Sequence, residues 1–242
     1  MKKMIFFLTI ACSCSQVLNA QRFELYGTVY SGLAKLRGEA ATNTTSMVRY
    51  GSNPSEGLTS NIYGKKTGFS TGAEAQLTIP TKFKMVFNLS AGYESLATVV
   101  SIDQILPAFW SSFFISEPAK GKTTFRTEFI NIFPSAGYRT KLGKLKLDID
   151  AGIVLASCIK SNAKGTAISL TNNEQVHSEL KTDQPKKDIR PSLQIMAQYK
   201  KLGLIAGYQW GVVNYCDLLI GTDRQMNATM RFLKLGISYR IK

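Results

Sequence analysis

The feature that most restricts this chain is a period of two in side-chain character that returns eight times. Its clearest instance is Lys144 to Leu155, where Leu145, Leu147, Ile149, Ala151, Ile153 and Leu155 alternate with Lys144, Lys146, Asp148, Asp150, Gly152 and Val154. Successive strand side chains point to opposite faces, so this segment is a strand with one apolar face and one face carrying four charges. In a soluble sandwich the apolar face meets a core and the charges meet water. In a membrane barrel the apolar face meets lipid and the charges point inward.

The same pattern runs through residues 22–29, 68–79, 83–94, 188–199, 202–212 and 233–241. A further strand starts with Phe125, Thr127 and Phe129 on the apolar face, opposite Arg126 and Glu128. Its parity blurs from Ile130 to Pro134 and recovers near Tyr138, which predicts a bulge, where a proline is tolerated. Pro80-Thr81-Lys82, residues 140–143 and Lys200-Lys201 give short connections, while residues 36–65, 96–122, 157–187 and 215–227 give long ones. Short turns at one end and long loops at the other predict an all-β fold: an eight-stranded antiparallel up-and-down transmembrane β-barrel. Strands of about 10 to 12 residues suffice to cross a bilayer at a tilt of about 45°.

The N-terminus indicates the compartment. Lys2 and Lys3 precede a short apolar run containing Phe6, Phe7, Leu8 and Ile10, and Ala20 precedes Gln21. Residues 1–20 therefore read as a cleaved signal peptide and 21–242 as an outer-membrane barrel domain, with both termini periplasmic. Lipoprotein processing at Cys12 or Cys14 is the rival, and a poor lipobox. A soluble lipocalin-type barrel is the rival for the fold. Closure is required in lipid, because each unsatisfied backbone group there costs several kcal/mol.

Closure sends the charges inside, so Glu24, Glu74, Glu94, Glu128, Asp148 and Asp150 are expected to face Arg22, Lys66, Lys84, Arg126, Lys144, Lys146, Arg190, Lys234 and Arg240, with Asp148 and Asp150 opposite Lys144 and Lys146 in a salt-bridge network. Eight strands leave room for little beyond side chains, which predicts a packed polar interior. Phe83, Tyr138, Tyr199 and Tyr239 are placed in a turn-side girdle, and Tyr93, Phe125 and Trp210 in a loop-side one.

The run TEFINIFPSAGYRTKLGKLKLDIDAGIVLASCIKSNAKG, from Thr127 to Gly165, resembles the central hairpin of the PorT-like outer-membrane β-barrel domains of Bacteroidota. The LIAGYQWGVVNY stretch from Leu204 and the terminal LKLGISYRIK from Leu233 are similar to that family's last strands. Pro134 lies later than the family's proline, and the chain ends Tyr239-Arg240-Ile241-Lys242 rather than on an aromatic residue. The resemblance implies architecture more than activity.

The net charge of +14 falls to +12 without Lys2 and Lys3. The long loops are near balance and much of the excess falls at the turn side, where a basic rim beside lipid phosphates acts as an anchor. Outer-membrane lipid is thus an expected partner. No basic groove interleaved with aromatics points to nucleic acid.

For enzyme chemistry, the only histidine, His177, lies near Ser178 and Asp183, so a nucleophile, base and orienting acid are conceivable in a lipid-modifying barrel. Nothing in the spacing demands it, and no cofactor or metal motif is present. A small diffusion channel is disfavoured by the charged interior. Ile105, Phe109, Trp110, Phe113 and Phe114 crowd the second long loop, marking either a partner-binding surface for an envelope protein or an extension of the flanking strands. Cys158 and Cys216 fall at loop-side strand ends two strands apart. That is about 10 Å, so a disulfide there needs loop movement.

Overall fold

A computed structural model describes residues 23–49, 55–107, 116–182, 185–216 and 226–242. The signal-peptide segment, Arg22, Phe109, Trp110, Phe113, Phe114 and Asp183 lie outside the described residues. Eleven strands are present: β1 (Glu24–Arg37), β2 (Thr44–Arg49), β3 (Gly57–Thr59), β4 (Lys66–Pro80), β5 (Met85–Leu106), β6 (Glu117–Leu142), β7 (Leu145–Ser169), β8 (Gln175–Lys181), β9 (Lys187–Tyr199), β10 (Leu202–Trp210) and β11 (Thr229–Arg240). Eight of them form an antiparallel ring in the order β1-β4-β5-β6-β7-β9-β10-β11. Its seam is the β1–β11 ladder, continuous from Tyr26↔Arg240 to Arg37↔Thr229. The expected barrel is therefore present, with no open edge in its wall.

Leu145 to Leu155 behaves as its pattern requires. Asp148, Asp150 and Val154 are buried, while Ile149, Ile153 and Leu155 are exposed on the outer wall. The same exterior carries Phe69 at 65% and Leu204 at 66% exposure, with Leu89, Ile132, Leu193 and Leu235 around the circumference. So many large apolar side chains facing outward from a closed ring define a lipid-facing belt.

Three strands are far longer than the 10 to 12 residues expected. β5 has 22 residues, β6 has 26 and β7 has 25. At about 3.3 Å per residue and a tilt near 40°, such strands would rise about 55–65 Å if straight, more than twice the roughly 25 Å of an apolar belt. Their upper halves leave the membrane ring and close a second, smaller one. Above the belt, β5 pairs in parallel with β2 from Thr44↔Ser101 to Val48↔Leu106, and β2 pairs with β3. β7 pairs with β8 from Asn162↔Lys181 to Ile168↔Gln175. The bridge Glu56↔His177 closes the circuit between β3 and β8. Much of the predicted long-loop sequence is thus strand, and β5, β6 and β7 belong to both rings.

The upper ring has its own small core of Met47, Ile102, Ile105, Ala119, Ala167 and Val176. Beside it, the Thr59 and Thr123 hydroxyls lie 2.8 Å apart, and Thr59 N–H donates to Ser178 Oγ at 3.1 Å. The space is tight: a Cβ at Gly165 would stand 2.4 Å from Thr123 Oγ1.

The predicted bulge between Ile130 and Pro134 is corrected. β6 keeps one parity throughout, with Phe125, Thr127, Phe129, Asn131, Phe133 and Ser135 inward and Arg126, Ile130, Ile132 and Tyr138 outward. What changes along the strand is the chemistry of each face. In the bilayer the outer face is apolar; above it the inner face is apolar and the outer one polar. Phe125 therefore faces the interior rather than a loop-side girdle, and Arg126 and Glu128 lie outside rather than within; Lys66 at the start of β4 and Lys84 and Lys144 in the turns are likewise exposed instead of interior. The bulge sits across the ladder on β7, where Glu128 and Phe129 oppose Lys160 and Cys158 and leave Ile159 as the extra residue.

Candidate functional site

The interior is the first place to look for chemistry, and it has two layers. At the turn side, Arg139 binds Asp148 through two parallel bonds, from Nε and Nη2, each 2.7 Å. This is the fork geometry that guanidinium and carboxylate share. Its Nη1 donates to Glu24 at 2.8 Å, and Glu24 also receives Lys146 at 3.1 Å, Arg240 at 3.3 Å and the Tyr26 hydroxyl at 2.7 Å. Deeper in, Lys234 Nζ lies 3.3 Å from both oxygens of Glu74 and 4.8 Å from the centre of the Tyr30 ring. Arg190, fully buried, donates to Glu94 and lies 3.3 Å from Asp188, which also accepts from the Tyr215 hydroxyl at 2.7 Å.

The expected pairing of Asp148 and Asp150 with Lys144 and Lys146 is corrected by the register. Asp148 stands directly opposite Arg139 across the hairpin, and Lys146 goes to Glu24. Asp150 is buried and takes part in no ion pair among the described residues. Counting back from the turn at Gly143, whose φ is +62°, places Arg139 across from Asp148 and so inside the ring, not among the turn-side lysines of the basic rim.

Above this polar layer lies an apolar one. Leu36, Leu96, Phe125, Phe129, Tyr215, Met230 and Phe232 are buried together, with Ala40, Ala41 and Ile62 from the β1–β4 connection laid across the mouth. The ring is filled by salt bridges below and by aromatic and aliphatic side chains above. Such a filled interior favours structure over transport.

Of the loop residues considered for catalysis, His177 and Ser178 are described and do not share a face. His177 and Ser178 are neighbours on β8 and so point to opposite faces. His177 is exposed with Nδ1 3.4 Å from Thr166 Oγ1, whereas Ser178 is buried in the upper ring. No group of three His, Cys, Asp or Glu side chains suited to a metal ion occurs among the described residues. No disulfide joins Cys158 and Cys216: the first lies at the β7 bulge with Sγ donating to Lys160 O at 3.4 Å, the second is buried in the apolar layer. Of the predicted partner-binding cluster, Ile105 is described, and at 1% exposure it is a core residue of the upper ring. The upper ring itself left no local signal in the sequence.

The outer wall completes the description. At the turn side Phe83, Tyr138, Tyr199 and Tyr239 are exposed, with Lys200 and Lys201 over the last two rings at 5.5 and 5.9 Å. Tyr93, Tyr208 and Trp210 stand near the loop-side edge. A closed ring with an apolar exterior, aromatic borders and a polar interior defines a transmembrane β-barrel.

No protein-family model and no curated protein matches the chain. Among solved structures it is similar to Neisserial surface protein A (NspA), at 11% identity over 90% of this chain and 97% of that one, TM-score 0.38. It is also similar to the translocator domain of the autotransporter NalP from Neisseria meningitidis, at 12% identity over 99% and 96%, TM-score 0.24. A third is a Pseudomonas aeruginosa FadL homologue, at 7% identity over 92% and 91%, TM-score 0.23. These likenesses are too distant to carry function from those proteins to this one.

Proposed function

We propose that this chain is a non-enzymatic integral protein of a bacterial outer membrane whose loop-side body docks an envelope protein, alone or within a larger envelope assembly. The observation that carries this reading is the upper ring. Three strands continue out of the wall into a body with its own core, and residues 107–116 join β5 to β6 at its far end. That connection holds Phe109, Trp110, Phe113 and Phe114, and aromatic residues are enriched where proteins bind one another. Delivery by removal of residues 1–20, periplasmic termini and a PorT-like origin in Bacteroidota belong to the same reading. They are supported by the leader-like N-terminus, by β1 starting and β11 ending at the turn end, and by the resemblance of residues 127–165.

Replacing Phe109, Trp110, Phe113 and Phe114 together by serine is expected to abolish the envelope partner captured by photo-crosslinking in intact cells. The barrel should retain heat-modifiable gel mobility. Capture of the same partner at undiminished yield would sink the docking reading. The filled interior also predicts that the protein in a planar bilayer gives no unit conductance above the lipid background, and regular single-channel steps would contradict it.

A further inference from the structure

We infer that a basic cleft at the β7 bulge holds the phosphate of an outer-leaflet glycolipid against the barrel wall. The inference rests on the outer-membrane reading for which leaflet the cleft meets. Beyond Ser157↔Lys187, β7 parts from β9, and from Asn162 upward it takes β8 as its neighbour. The fork between β9 and β8 leaves an outward-facing cleft of about 580 Å³ lined by Ile159, Lys160, Lys164, Lys181, Lys186 and Glu179. The bulge turns both Ile159, 54% exposed, and Lys160 outward, so a lysine follows directly on the top of the apolar belt built by Ile153 and Leu155.

Among the described residues the charges in the cleft do not cancel. Glu179 lies 3.0 Å from Lys164, and Glu128, on β6, lies 3.8 Å from Lys160. Lys181 and Lys186 are exposed and have no acidic partner among the described residues. The pattern continues around the barrel, where Arg37 on β1, Lys66 on β4, Arg126 on β6 and Arg231 on β11 each stand just beyond the apolar positions of their own strand. Beside the basic turn-side rim, these residues give the loop-side edge basic positions of its own.

Each lysine near an anionic membrane surface favours binding by about fivefold. A cleft open to the lipid-facing wall, with isoleucine and leucine below and lysines above, matches a ligand having acyl chains below and phosphate above. Soluble anions match only the upper half. The outer leaflet of an outer membrane is built of phosphorylated glycolipid, which has that form.

The test uses the full chain in detergent micelles doped with equal amounts of a phosphorylated glycolipid of the lipid A class and its dephosphorylated counterpart, with retained lipid counted by native mass spectrometry. The wild type should retain the phosphorylated form about tenfold over the other. Lys160→Gln, Lys164→Gln and Lys186→Gln combined should bring that preference below about twofold, while Lys200→Gln with Lys201→Gln at the turn side leaves it intact. Inorganic phosphate at constant ionic strength should not displace the lipid. Equal retention of the two glycolipids, an unchanged preference in the triple variant, or displacement by inorganic phosphate at matching concentration each overturns the inference. If the triple variant loses heat-modifiable mobility, Lys181→Gln with Lys186→Gln probes the same cleft without touching an ion pair seen among the described residues. Membrane fractionation tests the outer-membrane location separately.

Discussion

Arg190→Ala lowers the stability of the barrel by about 3–5 kcal/mol, the usual cost of breaking a buried ion pair from one side. Arg190 is fully buried, and its guanidinium faces Glu94 and Asp188 from the centre of the ring and lies 5.4 Å from the centre of the Phe129 ring. Truncation leaves two carboxylates in a water-poor interior with one counter-charge removed, and the Tyr30 and Tyr215 hydroxyls, which bond Glu94 and Asp188, carry no charge to replace it. The loss should appear as a lower urea midpoint with an unchanged slope, and as partial loss of heat-modifiable mobility. Arg190→Met with Glu94→Gln and Asp188→Asn, which removes the charges together, should recover much of it. A midpoint for Arg190→Ala within error of wild type would show that the pair is hydrated and structurally idle.

Ile105→Asp opens the upper ring and spares the membrane ring. Ile105 packs with Met47, Ile102, Ala119, Ala167 and Val176, a core of six apolar residues. An unpaired carboxylate there costs several kcal/mol. The ring that must bear this cost is held on one side by the three-residue β3, the bridge Glu56↔His177 and the hydrogen bonds of Thr59 to Ser178. Limited proteolysis should then cut within residues 44–60 or 175–182, at sites protected in the wild type, while the barrel still migrates as a folded species when unheated. Wild-type protease resistance, or collapse of the membrane ring as well, would show that the two rings do not separate energetically.

The wall of the barrel was legible in the sequence because lipid on one side and a filled interior on the other impose one rule on every residue of a strand. Leu145 to Leu155 lies inside that regime, and its side chains went to the faces the alternation predicted, while Lys144 fell in the turn and is exposed. Phe125 to Pro134 crosses out of it. There the surroundings exchange character while the backbone keeps its alternation, so reading polarity as orientation turned Phe125 and Phe129 outward and suggested a bulge in the wrong strand. The upper ring was illegible for another reason. Its core joins residues as far apart as Met47 and Val176, and its closure depends on a parallel pairing of β2 with β5 that no hairpin pattern announces. The interior pairs divide the same way: Arg139 with Asp148 could be counted across one turn, whereas Glu94 with Arg190 joins strands on different sides of the ring.

Because β5, β6 and β7 pass from one ring to the other as unbroken strands, no flexible neck separates the body outside the bilayer from the part within it. A sideways load applied to the upper ring is borne as shear along the β5–β6 and β6–β7 ladders, which are loaded in parallel rather than unzipped bond by bond. The protein is in this respect a post and not a tether: whatever grips its top is held at fixed height and bearing relative to the membrane.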